Sequence, residues 1–206
     1  ISDFASVNLH FRDGDLRYDI NHSWLCLQSK DIQRMKCPWK EWANAGLLTL
    51  VDDVEIHPSY LTNYISEKKM EYDIKMLALD DFRYALISEY LRGIGFDAKT
   101  SRKIKLVRHS DIMRVATVID SCFNNQYFVW GDNPVLRWAT NNTKMIRSGR
   151  KPGKDDDADL GNFVYGKIEA RSRKTDPFMA LAASMTVEDV LPAARRPKPK
   201  FGVYTY

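Results

Sequence analysis

The feature that most constrains this fold is a short apolar run, residues 74–79, that ends in the acidic pair Asp80-Asp81. Its length suits a buried β-strand and is too short for a typical helix. Helical spacing follows at once over residues 82–92, and Gly93 marks its end. A strand that leads directly into a helix is typical of α/β domains, in which the chain alternates between a sheet and its covering helices.

The opening of the chain predicts a β-hairpin. Apolar residues alternate with polar ones from Ala5 to Phe11, which is the pattern of a half-buried strand. Asp13-Gly14 is a favoured turn dipeptide, and a second strand is expected over residues 18–27.

The remaining patterns alternate between helix and strand. The expected elements are a short helix opened by Pro38, a strand over residues 47–51, a helix from Pro58 with Leu61, Tyr64, Ile65 and Met70 on one face, a strand around Phe96, a helix over residues 111–123, two strands over residues 126–130 and 135–146 joined by a turn at 131–134, and a last helix capped by Thr175. This order predicts an α/β domain with a mixed sheet covered on both sides.

Composition favours a single globular domain, because the 206 residues are 44% apolar and 28% charged. We place this domain at residues 1–191 and a basic, proline-containing tail at residues 192–206. No apolar run approaches the roughly 18 residues of a membrane span, and no signal-peptide pattern opens the chain, so no membrane partner is expected. The three cysteines form no CxxC pair, which favours reduced thiols in a cytosolic protein.

Basic residues cluster in three places although the net charge is only +4. Residues 92–114 hold seven basic side chains against two acidic ones, residues 144–154 hold five and no acid, and residues 195–200 hold four more. Such clusters commonly contact phosphates, but a solvated surface has the same composition, and both interpretations stay open.

Two carboxylates are candidates for chemistry. Asp80 follows the predicted strand, and ligands of open α/β sheets bind at the carboxyl ends of strands, but the same residue is equally suited to cap the next helix. Asp176 enters an apolar helix directly after the basic residues Arg173 and Lys174. It is either a metal ligand on a rigid element, with cations beside it for phosphate, or a side chain that the helix dipole favours.

Three other segments carry weaker signals. Arg137, after the turn at 131–134, either approaches a backbone phosphate or belongs to an ordinary strand. Residues 149–154 resemble a Walker phosphate loop, but three residues separate the glycines where four are required, and Asp155 stands where Ser or Thr is needed, so no ATP site is expected. The acidic residues 155–159 lack calcium-loop spacing.

Five segments in the same order resemble the carboxyl-terminal nuclease domain of the large terminase subunit of tailed double-stranded DNA phages and prophages. They are residues 3–7, residues 39–48, the Leu-Asp-x-Phe-Arg of 79–83, residues 131–142 and the Lys-Thr-Asp of 174–176. Each segment is short, but the ordered set extends to about Leu191. The resemblance implies a ribonuclease-H-like mixed β-sheet flanked by helices.

The same resemblance implies a cluster of aspartates that binds two Mg²⁺ or Mn²⁺ ions and cuts concatemeric phage DNA during packaging. Asp80 and Asp176 match two of these carboxylates, whose hard oxygen atoms suit both ions. The family's first carboxylate lies on a strand that precedes the segment matching Ile1, so the first strand of the sheet is expected to be missing from this chain. Asp3 matches a less central position, and either the chain lacks one ligand or Asp3 substitutes for it. Asp132 is a weaker candidate ligand.

The resemblance also assigns partners and DNA contacts. The partners are double-stranded DNA, the portal protein and the small terminase subunit, in the cytoplasm of the host cell, and the family's ATPase motor leaves no trace in this chain. Two alternatives are kept: a non-catalytic DNA-clamping or portal-docking module, and another ribonuclease-H-like nuclease such as a resolvase or transposase. The expected DNA-binding residues are Arg83, Arg102, Lys103, Lys105, Arg137, Lys144, Arg147, Arg150, Lys151, Arg173 and Lys174.

Overall fold

The structure is a computed structural model that describes residues 3–147, 163–169 and 172–192. The strands are β1 (Phe4–Asp13), β2 (Leu16–Cys26), β3 (Leu48–Val51), β4 (Leu77–Asp80), β5 (Ile104–Val107), β6 (Phe128–Val129), β7 (Thr143–Arg147) and β8 (Phe163–Lys167). The helices are α1 (Trp39–Asn44), α2 (Pro58–Glu71), α3 (Asp81–Gly93), α4 (His109–Asn124), α5 (Pro134–Asn141) and α6 (Asp176–Met185), with single 3-10 turns at Ile32–Arg34 and Glu188–Val190. The predicted α/β class is confirmed.

The amino-terminal sheet is built on the predicted hairpin. β1 and β2 pair antiparallel over their full length, and Gly14 supplies the left-handed backbone (φ 61°) that the tight turn requires. The other edge of β2 pairs parallel with β6 near its start and with β3 near its end. This sheet is therefore mixed, as the sequence predicts.

The described strands form three separate sheets, whereas the residue patterns predict a single one. β4 and β5 form a separate parallel pair, and β7 and β8 form a separate antiparallel ribbon. Among the described strands, β1 pairs only with β2, and β4 pairs only with β5. Each of these two strands therefore keeps one edge without a partner in the described part of the chain.

Helices cover both faces of the strands. α6 packs against β1, β2 and β4 on one face, where its apolar residues join a cluster with α4 and α5. On the other face, Leu61 and Ile65 of α2 and Leu91 of α3 pack with side chains from β1, β4 and β5. None of the described helices is long and apolar enough to cross a membrane.

Two of the predicted strands are wrong. Phe96 lies in no strand: its backbone N–H donates to the Leu91 carbonyl at 2.9 Å, after Gly95 with φ 88°, so its side chain closes the end of α3. Residues 135–146 begin as helix α5, and only β7 is extended. The Oδ1 atom of Asn133 accepts from the Leu136 N–H at 3.0 Å, with Pro134 in the first turn, and this cap outweighs the apolar spacing.

Two side chains also differ from expectation. The helical spacing predicts Met70 on the inner face of α2, but Met70 is 83% exposed, because it lies in the last turn beyond the packed residues. Thr175 occupies the N-cap position of α6, but its side chain makes no capping hydrogen bond. Asp176 therefore enters the helix without that support from the residue before it.

Candidate functional site

A cleft of about 1110 Å³ contains both principal candidate carboxylates in its lining. Its walls are β1 over residues 5–11, β4 with the start of α3, and α6 over residues 176–184. Asp80 comes from the end of β4 and Asp176 from the first residue of α6. Two acidic residues far apart in the sequence thus open onto one cavity.

Asp80 is exposed and performs the capping role that the sequence left open. Its Oδ1 atom accepts from the Phe82 N–H at 3.0 Å and so begins α3. The expectation of a buried strand is wrong: β4 is only half-buried, and its residues line the cleft. A carboxylate has a second oxygen, so capping does not exclude metal binding by the same group.

Burial raises the pKa of the Asp176 carboxyl, since the surroundings disfavour its charged form. Lys167 and Arg83 act in the opposite direction, and Asp3 adds to the rise by like-charge repulsion. The effect of burial is the larger one. The nearby positive charges therefore only partly offset the effect of burial on the pKa of Asp176.

Beside Asp176, a buried lysine joins two other carboxylates. The ammonium of Lys174 lies 2.5 Å from Asp3 and 2.7 Å from Asp31, and the lysine is 1% exposed. Burial alone raises the pKa of Asp3, but the hydrogen bond and charge of Lys174, with the Phe4 N–H and the charge of Lys167, together outweigh it, and the net pKa is lowered. The burial of Lys174 in this triad corrects the expectation that it contacts DNA.

Asn142 connects this triad to the rest of the site. It is fully buried, its amide donates to the Lys174 carbonyl at 3.2 Å, and its side-chain oxygen accepts from Arg173 at 3.1 Å. These contacts fix the backbone that leads into α6. The sequence does not predict the roles of Asp31 and Asn142. Both contact Lys174, which lies more than a hundred and thirty positions from Asp31 and about thirty from Asn142, and no local pattern shows such contacts.

Asp132 lies outside the cleft lining. Its side chain is 90% exposed and pairs with Arg137, one turn into α5, at 3.0 Å. Asp132 and Arg137 therefore do not line the cleft that contains Asp80 and Asp176. Any metal binding by Asp132 or phosphate binding by Arg137 would take place outside that cleft.

The other predicted DNA contacts are dispersed. Arg83 is exposed and lines the cleft. Arg102 and Lys103 are exposed just before β5, and Lys144 and Arg147 are exposed on β7. Lys105 pairs with Asp111 at 3.2 Å, while Arg150 and Lys151 lie outside the described residues.

The described residues contain no group of three or more His, Cys, Asp or Glu side chains placed to hold a metal ion. The cleft offers two carboxylates, Asp80 and Asp176, and the third candidate, Asp3, is engaged by Lys174. The candidate oxygen donors of the cleft are therefore the carboxylates of Asp80 and Asp176.

Comparison with known proteins gives one informative likeness. No family model and no curated protein matches the sequence. Among solved structures, the crystal structure of the HK97 bacteriophage large terminase superposes with a TM-score of 0.74 over 90% of this chain, at 17% sequence identity. The match spans 37% of that protein's length. The expected resemblance to a phage large terminase is confirmed at the level of the fold.

Proposed function

We propose that this chain is the nuclease domain of a phage DNA-packaging terminase: a ribonuclease-H-like, metal-dependent endonuclease that cuts concatemeric double-stranded DNA in the host cytoplasm. The observation that carries the proposal is the shared cleft of Asp80 and Asp176, in a fold similar to a phage large terminase. Portal protein and small terminase subunit are the further partners in this proposal.

The cleft residues fit two Mg²⁺ or Mn²⁺ ions in part. Carboxylate oxygens are the ligands that these ions prefer, and Asp80 and Asp176 would hold them. When bound, the ions supply Lewis-acid activation of a water and of the scissile phosphate. Their positive charge also offsets the burial that raises the pKa of Asp176. Asp3 could join them through its Oδ1 atom, because Lys174 contacts its Oδ2 atom.

The chain's own cations have distinct tasks in this proposal. Arg83 lies in the cleft and acts on Asp176, so it is suited to bind and orient the phosphate next to the carboxylates. The exposed Arg102, Lys103, Lys144 and Arg147 would bind the DNA backbone outside the cleft. Arg150 and Lys151, which lie outside the described residues, are also proposed to bind it.

A second function is favoured by a specific observation. Since the described residues hold no complete group of metal ligands, the chain alone also fits a non-catalytic DNA-clamping or portal-docking module. DNA binding by a clamp would depend on the exposed cations and would not require the carboxylates of Asp80 and Asp176. The two functions therefore differ in which substitutions they tolerate.

The test is plasmid nicking in Mn²⁺ by the wild type, Asp80→Asn, Asp176→Asn and the matched control Asp132→Asn. A nuclease loses more than about 100-fold in rate with either cleft substitution, because outer-shell partners alone cost about 10- to 100-fold. Asp132→Asn should cut like the wild type. Equal rates for all four proteins would contradict the assignment. A wild type that binds duplex DNA without nicking it would favour the clamp.

A further inference from the structure

Phe82 is an aromatic side chain that α3 holds in solvent beside the candidate carboxylates. Among the described large apolar side chains it is the most exposed, at 94%, and it lines the same cleft as Asp80 and Asp176. Its backbone N–H donates to the Oδ1 atom of Asp80 at 3.0 Å, so the hydrogen bond that begins α3 also fixes residue 82 next to that carboxylate. An apolar ring at this position is suited to a ligand that enters the cleft.

The packing of α3 does not require the Phe82 side chain. Tyr84, Ile87 and Leu91 lie on the inner side of the helix and belong to the apolar cluster that α3 shares with α2, β4 and β5. Phe82 and Leu86 are four residues apart, which places them on a common face, and both are exposed and line the cleft. The helix therefore carries a second apolar face that the described core leaves uncovered.

This second face is small and has charged neighbours. A buried aromatic side chain contributes about 150–250 Å², whereas a stable protein interface covers about 800 Å² on each partner. Asp81 and Arg83 are both exposed, and they flank Phe82 in the sequence. These properties suit a flat apolar ligand of one or two rings better than they suit the surface of another protein.

Arg83 indicates that the ligand also carries a negative charge. It lines the cleft, and its charge acts on Asp176. In the proposed function a phosphodiester lies next to the carboxylates, where the guanidinium of Arg83 is suited to hold it. A nucleotide joins a phosphate to a flat base, and consecutive Cα atoms are only about 3.8 Å apart. A phosphate on Arg83 therefore brings a base close to the ring of Phe82.

We propose, on the basis of the nuclease function, that Phe82 stacks on a nucleobase beside the phosphate that the cleft holds. Bases of a paired duplex already stack on one another, so an aromatic side chain must wedge between them at a cost in free energy. An unpaired base avoids most of that cost. The site therefore favours DNA whose bases are unpaired near the bound phosphate. It accepts any base, because every base has a flat π face.

The test measures DNA binding in EDTA, so that cleavage does not enter. Fluorescence anisotropy compares a fully paired labelled duplex with the same duplex carrying adjacent mismatched pairs at its centre. The variants are Phe82→Ala, Phe82→Leu and Phe82→Trp. Met70→Ala is the matched control, because Met70 is 83% exposed but does not line the cleft. Melting temperatures should be nearly equal for all five proteins, since both positions are exposed.

We expect the wild type to bind the mismatched duplex more tightly than the paired one. Phe82→Ala should weaken binding to the mismatched duplex by about tenfold, which is within the range for one lost base–aromatic stack, and should affect the paired duplex less. Phe82→Leu should behave like Phe82→Ala, because leucine is apolar but has no flat face. Phe82→Trp should keep the preference, and Met70→Ala should bind like the wild type.

Two results would overturn the stacking site: a wild type without preference for the mismatched duplex, and a Phe82→Leu variant that binds this duplex as tightly as the wild type. Plasmid nicking separates these failures from a failure of the nuclease proposal. If nicking depends on Asp80 and Asp176 but Phe82→Ala keeps full affinity, the nuclease stands, the stacking site is wrong, and the exposed face fits a protein partner. If the preference depends on Phe82 but the wild type nicks no DNA, the stacking site belongs to a DNA clamp.

Discussion

Lys174 shows how one buried cation can organise a site. It is 1% exposed and pairs with Asp3, just before β1, and with Asp31, in the segment after β2. Removing the ammonium leaves two partly buried carboxylates without their partner. The lysine therefore ties three distant segments together next to Asp176, whatever chemistry Asp176 performs.

We predict that Lys174→Met lowers the free energy of unfolding by about 2–3 kcal/mol, less than the 3–5 kcal/mol of a fully buried pair because both carboxylates keep some solvent contact. Urea denaturation measures the difference. Lys144→Met, which removes an exposed lysine from β7, is the matched control and should change stability by less than about 0.5 kcal/mol. Equal effects of the two substitutions would show that the triad is not stabilising.

Asp176 leads to a prediction about metal binding. Because burial disfavours its charge, Asp176→Asn should raise the melting temperature of the metal-free chain, as is common when a functional group is removed. Mn²⁺ should raise the melting temperature of the wild type by mass action and leave Asp176→Asn nearly unchanged. Thermal unfolding with and without Mn²⁺ measures both effects. If Asp176→Asn responds to Mn²⁺ as fully as Asp132→Asn does, Asp176 is not a ligand.

At the scale of elements, a buried ion network holds the hairpin to the segment after α6. His10 of β1 lies 2.9 Å from Asp19 of β2 and 3.0 Å from Glu188 in the last 3-10 turn. Arg17 of β2 also pairs with Glu188 at 3.0 Å. Burial disfavours the charge on His10, but hydrogen bonds to both carboxylates outweigh it and raise its pKa to about 9, while His10 and Arg17 lower the pKa of Glu188 to about 2.

This network predicts a pH dependence with two limits. The pKa of His10 in the folded protein is above its ordinary 6.5. Its contribution to the free energy of unfolding is therefore complete below pH 6.5 and is lost as the pH rises through about 9. The pKa of Glu188 in the folded protein is below its ordinary 4.5. Its contribution to the free energy of unfolding is therefore complete above pH 4.5 and is lost as the pH falls toward about 2. Melting temperatures of the wild type and His10→Gln should differ most near pH 6 and converge above pH 9. A constant difference over this range would contradict the network.

Elements are predictable from the sequence where the signal is local. The hairpin, the helix after Asp80 and the helix at Asp176 follow from alternation, turn and breaker residues that lie next to one another. Helix α5 is the exception: Asn133-Pro134 is itself a local helix start, but the apolar spacing that follows also suits a strand and favours the wrong element. The triad of Lys174 depends on contacts between distant segments, and no pattern within one segment encodes it.

At the scale of the whole molecule, the exposed cations form no single stripe in the sequence, yet both proposed functions require them to bind DNA. Arg102 and Lys103 precede β5, and Lys144 and Arg147 lie on β7. DNA affinity is the property that these functions share and that the carboxylates do not determine. It is therefore the measurement that separates DNA binding from cleavage.

We predict that Arg102→Gln combined with Lys103→Gln weakens binding to duplex DNA of any sequence and reduces the slope of log affinity against log salt by about 2, at about 0.9 for each phosphate that is no longer neutralised. Fluorescence anisotropy in EDTA measures this without cleavage. Arg34→Gln combined with Lys40→Gln, which removes two exposed cations near α1, is the matched control of equal charge and should leave the slope nearly unchanged. If both double variants change the slope equally, binding follows net charge and the surface before β5 has no special role. If neither does, the DNA path runs along β7, and Lys144→Gln should then reduce the slope by about 1 on its own.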